Sequence, residues 1–264
     1  MEPAANHETL LLWHRLLGYP VVFVVAPLAL ATFAGRGKHR WAGIGYAVGM
    51  LLLYLSGSIL TFTQYAYGSW EFGRNVVFNL MGLLFVLHGV RAIWLWRHPN
   101  APRPTALDRS LRHAFTITLA VMLALAVFKN TPLRVFTVLG LLLWWQDRAD
   151  WRAGFDRAAL YARHARYILA SYFYALTVAS LVHLRDELGA NARWLWPAAL
   201  GVLAIWIANG AATPGHPWRR RIQPWAVAGV LAIATAFGAY ALHEVRRDGL
   251  ATLPSPPPEA VRRP

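Results

Sequence analysis

Residues 14–43 read HRLLGYPVVFVVAPLALATFAGRGKHRWAG. The stretch opens and closes on the same five-letter pattern, His-Arg-x-x-Gly, with one apolar run between the copies. A crossing of the hydrocarbon layer takes about 20 apolar residues, and the run has that length. His14 and His39 are 25 positions apart, about 37 Å along a helix. The two motifs therefore belong to opposite membrane faces and do not share one ligand. Each glycine lies four residues after its histidine, on the same helical face and one turn deeper. That leaves a patch beside each imidazole open to a neighbouring helix or a flat cofactor.

The remainder of the chain repeats this design. Of 264 residues 57% are hydrophobic and only 14% are charged, too few charges to cover a soluble domain of this length. Apolar runs occur near 10–34, 41–64, 75–96, 112–130, 132–146, 166–185, 194–212 and 224–243. The fifth is short and reads as re-entrant or tilted. Tryptophans such as Trp41, Trp94, Trp96, Trp144, Trp145, Trp194, Trp196 and Trp218 flank the runs, at the depth an amphipathic indole prefers. The expectation is an all-α transmembrane bundle of about eight spans over 10–243, preceded by a short outer segment, 1–9. An amphipathic segment, 147–165, lies on the inner surface or extends the sixth span. The tail 244–264 is too proline-rich to pack and reads as disordered.

Charge orients the bundle. The loops 35–40, 91–112, 147–166 and 213–223 hold sixteen of the 26 basic residues but only four of the 12 acids: Asp108, Asp147, Asp150 and Asp156. Their net charge is +12, leaving +2 elsewhere of the total +14. By the positive-inside rule these loops are cytoplasmic and both termini are outside. The excess charge then reflects topology and contact with the lipid bilayer, and a nucleic-acid partner is not expected. The absence of cysteine excludes disulfides, thiolate-held zinc, iron–sulfur clusters and covalently attached haem. The N-terminus has no basic region of the kind that opens a cleavable signal peptide.

The ten histidines are the main polar resource of the spans. As helix-end anchors they need no ligand. As axial ligands of b-type haem they must pair at matching depth on two helices. His14 and His183 match on the outer side, and His39, His113 and His164 supply an inner pair. His88 is the deepest, and a neutral ring bonded to a backbone carbonyl competes there with a functional role. Asn79 and Asn209 read as interhelical bonds, and Arg91 as a cation that snorkels inward. Pro20 and Pro27 each remove a backbone donor and bend the first span. No metalloprotease, phosphate-loop or serine–histidine–acid pattern is present.

Further pieces in order are HRWAGIGY at 39–46, GVRA at 89–92, GLLLWWQDR at 140–148, RHARYILASYFYALT at 163–177 and LWPAALG at 195–201. With HRLLG they resemble a family of uncharacterised bacterial polytopic membrane proteins known only as a domain of unknown function, over residues 10–205. The resemblance implies topology more than activity. It carries the family's histidines onto His14, His39 and His164, and it departs at Tyr167, where the pattern has methionine. His88, His113 and His183 fall outside it. A looser likeness of architecture links the chain to the transmembrane cytochrome b superfamily.

Three functions remain open. The first is a non-catalytic membrane protein that assembles with partners or lipid. The second is a haem protein that moves electrons across the membrane. The third is a transporter or proton-coupled channel with His88, Asn79 and Asn209 on a polar path.

Overall fold

The computed structural model describes residues 3–31, 36–101, 104–129, 131–152, 154, 156–183 and 192–212, with residues 229, 232, 236, 240 and 243 singly. The run at 224–243, apart from those single positions, and the tail 244–264 lie outside the described residues, as do His216 and the side chains of His7, His183 and Asn209. Among the described residues every regular element is helical.

The first apolar run is not one smooth helix. It comprises α1 (Pro3–Pro20), a π-helical turn at Val21–Val25, and α2 (Ala26–Ala31). The prolines explain the break. Pro20 cannot donate to Leu16, and Pro27 cannot donate to Phe23, so the ladder loses two rungs seven residues apart. Between them the backbone widens, and the Ala26 N–H reaches the Val21 carbonyl, five residues back. The widened turn buries Val21 and Val22. Val21 rests on Gly49, where an added Cβ would lie 2.4 Å from Val21 Cγ2.

Five further helices run back and forth through the bundle: α3 (Arg36–Gln64), α4 (Trp70–Arg97), α5 (Ala106–Lys129), α6 (Thr131–Arg152) and α7 (Arg157–His183). α8 (Ala192–Ala212) follows. Gly68 at φ 81° and Gly154 at φ 79° supply left-handed backbone in the turns after α3 and α6. Ser69 caps α4 by accepting the Phe72 N–H at 3.1 Å.

Among the described residues four segments are long and apolar enough to cross a membrane: Glu8–Leu30, Lys38–Gln64, Trp70–Arg97 and Ala106–Val127. The outer surface agrees with a lipid setting. Leu12, Trp13, Trp41, Ile117, Val127 and Trp145 are each more than half exposed, a density of apolar surface that water does not tolerate. These features point to a membrane protein.

The core lies between α4 and α7, which pack on each other, with α3 and α5 against α4 and α8 against α7. Ala170 to Thr177 of α7 is buried on every side, as a central helix requires. The ring of Tyr54 lies across Gly82, where an added Cβ would come within 2.2 Å of the ring. That contact joins α3 closely to α4.

Two boundaries differ from the sequence reading. The fifth run, expected to stop at 146, continues as helix to Arg152, and α7 starts at Arg157, well before 166. At 22 residues α6 is about 33 Å long, but its charged end lies beyond the apolar run and it is not among the four segments named above. Of the two readings of 147–165, the extension of the sixth span is the one seen from Arg157 on, and the residues up to Arg152 extend α6 instead.

Candidate functional site

Chain direction places Arg36–Arg40, Arg91–Asp108 and Asp147–Arg166 at one end of the bundle. At that end α6 and α7 present acids and arginines at equal spacing: Asp147 and Asp150 on one, Arg163 and Arg166 on the other. They meet as two rungs. Arg163 Nη2 is 2.7 Å from Asp147 Oδ1, each side chain only 2% exposed, and Arg166 pairs with Asp150. A third pair joins α4 to α5: Arg91 donates from Nε to Asp108 Oδ1 at 2.7 Å and from Nη2 to Oδ2 at 3.0 Å. Thr105 also donates its hydroxyl to Asp108 Oδ2 at 2.7 Å. Arg91 therefore does not snorkel. A bidentate carboxylate on the next helix satisfies it in place. The fourth acid, Asp156, caps α7 by accepting the Ala159 N–H at 2.6 Å. The matched i, i+3 spacing of the two Asp and the two Arg was the signal for these rungs in the sequence.

His88 belongs to this structural network. Its Nε2–H donates to the Leu111 carbonyl at 3.3 Å, and its Nδ1 accepts from Arg163 Nη2 at 3.0 Å. The ring stacks on Tyr167 at 4.7 Å and 15°. Both nitrogens are thus engaged. Asn79 is likewise committed, donating to Thr61 Oγ1 at 3.2 Å between α4 and α3.

The two His-Arg-x-x-Gly copies face different surroundings. In the first, the Ser56 hydroxyl donates to the Leu53 carbonyl at 2.9 Å. The Ser56 oxygen then accepts from His14 Nδ1 at 2.8 Å. Its glycine is covered by a helix: a Cβ on Gly18 would stand 3.0 Å from Leu53 Cδ1. In the second, His39 Nδ1 donates to the Ala29 carbonyl at 2.8 Å, and Gly43 has nothing within 4 Å of an added Cβ. Gly43 borders a cavity of about 50 Å³ lined also by His39, Tyr46, His164, Ile168 and Tyr172.

His164 enters that cavity from α7. Its Nδ1 donates to the Gly89 carbonyl at 2.9 Å, which α7 reaches because a Cβ at Gly89 would lie 2.8 Å from Ile168. Both cavity histidines are thus held as Nδ1–H tautomers by backbone carbonyls. Outer-sphere partners fix a ligating imidazole in the same way. Tyr172, also on the cavity lining, has a buried hydroxyl with no hydrogen-bond partner among the described residues. A buried phenol in that condition is a place for water or a small polar ligand. The Tyr46 hydroxyl is bonded to Ser171 Oγ at 2.6 Å. Tyr172 and Tyr46 were not anticipated, because an aromatic at helical spacing carries no mark of which wall it lines.

Of the expected haem ligands, the structure brings together His39 and His164 and leaves His113 apart. His113 is exposed on α5 and does not line the cavity. Of the three inner candidates His39 and His164 are therefore the two that face each other: depth along a span fixes height, and the facing direction comes from helix rotation. His14 is near Ser56 and Gly57, with its Cε1 3.4 Å from where a Gly57 Cβ would be. The side chain of its expected partner, His183, lies outside the described residues.

No family model, no curated protein and no solved structure matches the chain.

Proposed function

We propose that the chain is a multi-pass protein of a bacterial inner membrane that acts by binding, without catalysis of its own. It crosses the bilayer eight times, with both termini outside and the arginine-rich end in the cytoplasm. The supporting observation is the fate of the four acids at that end. Three are paired with Arg91, Arg163 and Arg166, and the fourth caps a helix. The other cations there are left as a surplus, the pattern that holds a loop on the cytoplasmic side. Pairing also suits α6 and α7 to the bilayer, where ionisable side chains occur chiefly as partners of one another. The resemblance carried by HRLLG and HRWAGIGY supports the same topology. Reporter fusions test it: alkaline phosphatase is active at both termini, and a cytoplasmic reporter fluoresces at either terminus if the reading is wrong.

A second reading rests on the cavity between His39 and His164. Two anchored imidazoles beside an open glycine are the elements of a b-type haem site, and electron transfer across the membrane would then be the activity, with His14 and His183 serving an outer haem. At about 50 Å³ the cavity has room for no more than a few waters, whereas cofactor pockets run to about 300–1,000 Å³. A macrocycle enters only when α3 and α7 part. A reduced-minus-oxidised spectrum of haem-replete protein decides this. Bands lost in His39→Phe and His164→Phe support it, and a colourless preparation ends it.

A further inference from the structure

At the arginine-rich end a small apolar cluster sits apart from the main core. Leu95 and Leu160, both fully buried, form its floor, and Trp96 and Trp151 pack on them. Each indole carries a guanidinium: Arg157 lies 4.6 Å from the Trp96 ring centre, and Arg112 lies 4.8 Å from that of Trp151. The four residues come from the ends of four helices. Trp96 and Trp151 are the penultimate residues of α4 and α6, Arg112 is in the second turn of α5, and Arg157 opens α7.

Arg112 and Arg157 differ from Arg91, Arg163 and Arg166 in one respect. Among the described residues, neither is joined to a carboxylate. A guanidinium over an indole is attracted through its face, which leaves its N–H edge free to bond phosphate oxygens. From the bundle outward the order is leucine, tryptophan, arginine. A lipid leaflet has the matching order of acyl chain, glycerol region and phosphate.

We propose that Arg112 and Arg157, mounted on Trp151 and Trp96, form a binding site for the phosphodiester of an anionic phospholipid headgroup. The layered apolar floor favours a lipid over a free anion, which would need only the charges. The site requires that this end of the bundle meet a membrane surface, whichever surface that is, so it stands or falls separately from the orientation proposed above.

The full chain in nanodiscs of phosphatidylcholine, with or without phosphatidylglycerol, supplies the test. Phosphatidylglycerol raises the Tm of the wild type, and native mass spectrometry finds it retained. Arg112→Gln with Arg157→Gln retains it at least about tenfold less well, the loss of one or more charge-assisted bonds. Arg109→Gln, which removes an exposed cation with no indole beneath it, retains it as the wild type does. An unchanged Tm in phosphatidylcholine alone shows that the double variant is folded. If it is not, Arg112→Lys with Arg157→Lys replaces it, keeping charge without the planar stack and binding at an intermediate level. The proposal is overturned if the glutamine or lysine pair binds like the wild type, or if Arg109→Gln loses as much. It is equally overturned if inorganic phosphate gives the same rise in Tm as phosphatidylglycerol.

Discussion

The two copies of His-Arg-x-x-Gly share five positions and differ in what their glycines meet. Gly18 lies under Leu53 of α3, so the first copy is a place where helices pack. Gly43 is open and borders the cavity with His39, His164 and Tyr172, so the second copy is a place where something can enter. The ends around them diverge in the same way. The end that holds His14 is stitched by neutral groups, Ser56, Asn79 and Thr61. The end that holds His39 is stitched by three arginine–aspartate pairs. A shared motif therefore fixes a local shape, an imidazole beside a gap. The neighbouring helix decides whether the gap is filled.

The largest contrast between the ends is electrostatic. Asp147→Ala strands the Arg163 charge where it is 2% exposed and costs about 3–5 kcal/mol. Asn79→Ala, at the neutral end, removes one interhelical bond and costs about 0.6–1.7 kcal/mol. Unfolding of the detergent-solubilised protein by heat or SDS measures both, and equal losses would erase the distinction. The glycines give the next contrast. Gly18→Leu forces Leu53 aside and costs about 1–3 kcal/mol, while Gly43→Leu grows into open space and stays within about 0.5 kcal/mol of the wild type. The reverse order would mean that the cavity belongs to the first copy. Smallest are the rings themselves. His14→Phe and His39→Phe each give up one hydrogen bond, about 0.5–1.5 kcal/mol, and leave the bundle assembled, as its circular dichroism would show.

The helices are legible because composition and apolar run length mark them: the described residues of the first seven runs fall on helices, and α6 and α7 continue well beyond their runs. Pro20 and Pro27 announced a bend, though not that the bend is a π-turn, since that depends on how Val21 seats on Gly49. The misreadings share one cause. Charges in 147–166 count against burial when read singly, and Asp147, Arg163 and Arg166 are buried, with Asp150 partly so, because they occur as matched rungs on two helices. His39 and His164 were legible as level with each other. That His113 points elsewhere was not, because rotation about the helix axis is set by packing partners distant in sequence.

The absence of native cysteine makes one measurement direct. Tyr67→Cys places a thiol in the exposed turn after α3, and Asn100→Cys places one in the exposed turn after α4, at the opposite end of a 28-residue helix. A membrane-impermeant maleimide applied to intact cells should label the first and reach the second only after lysis. Labelling of Asn100→Cys in intact cells would put the arginine-rich end outside and contradict the account.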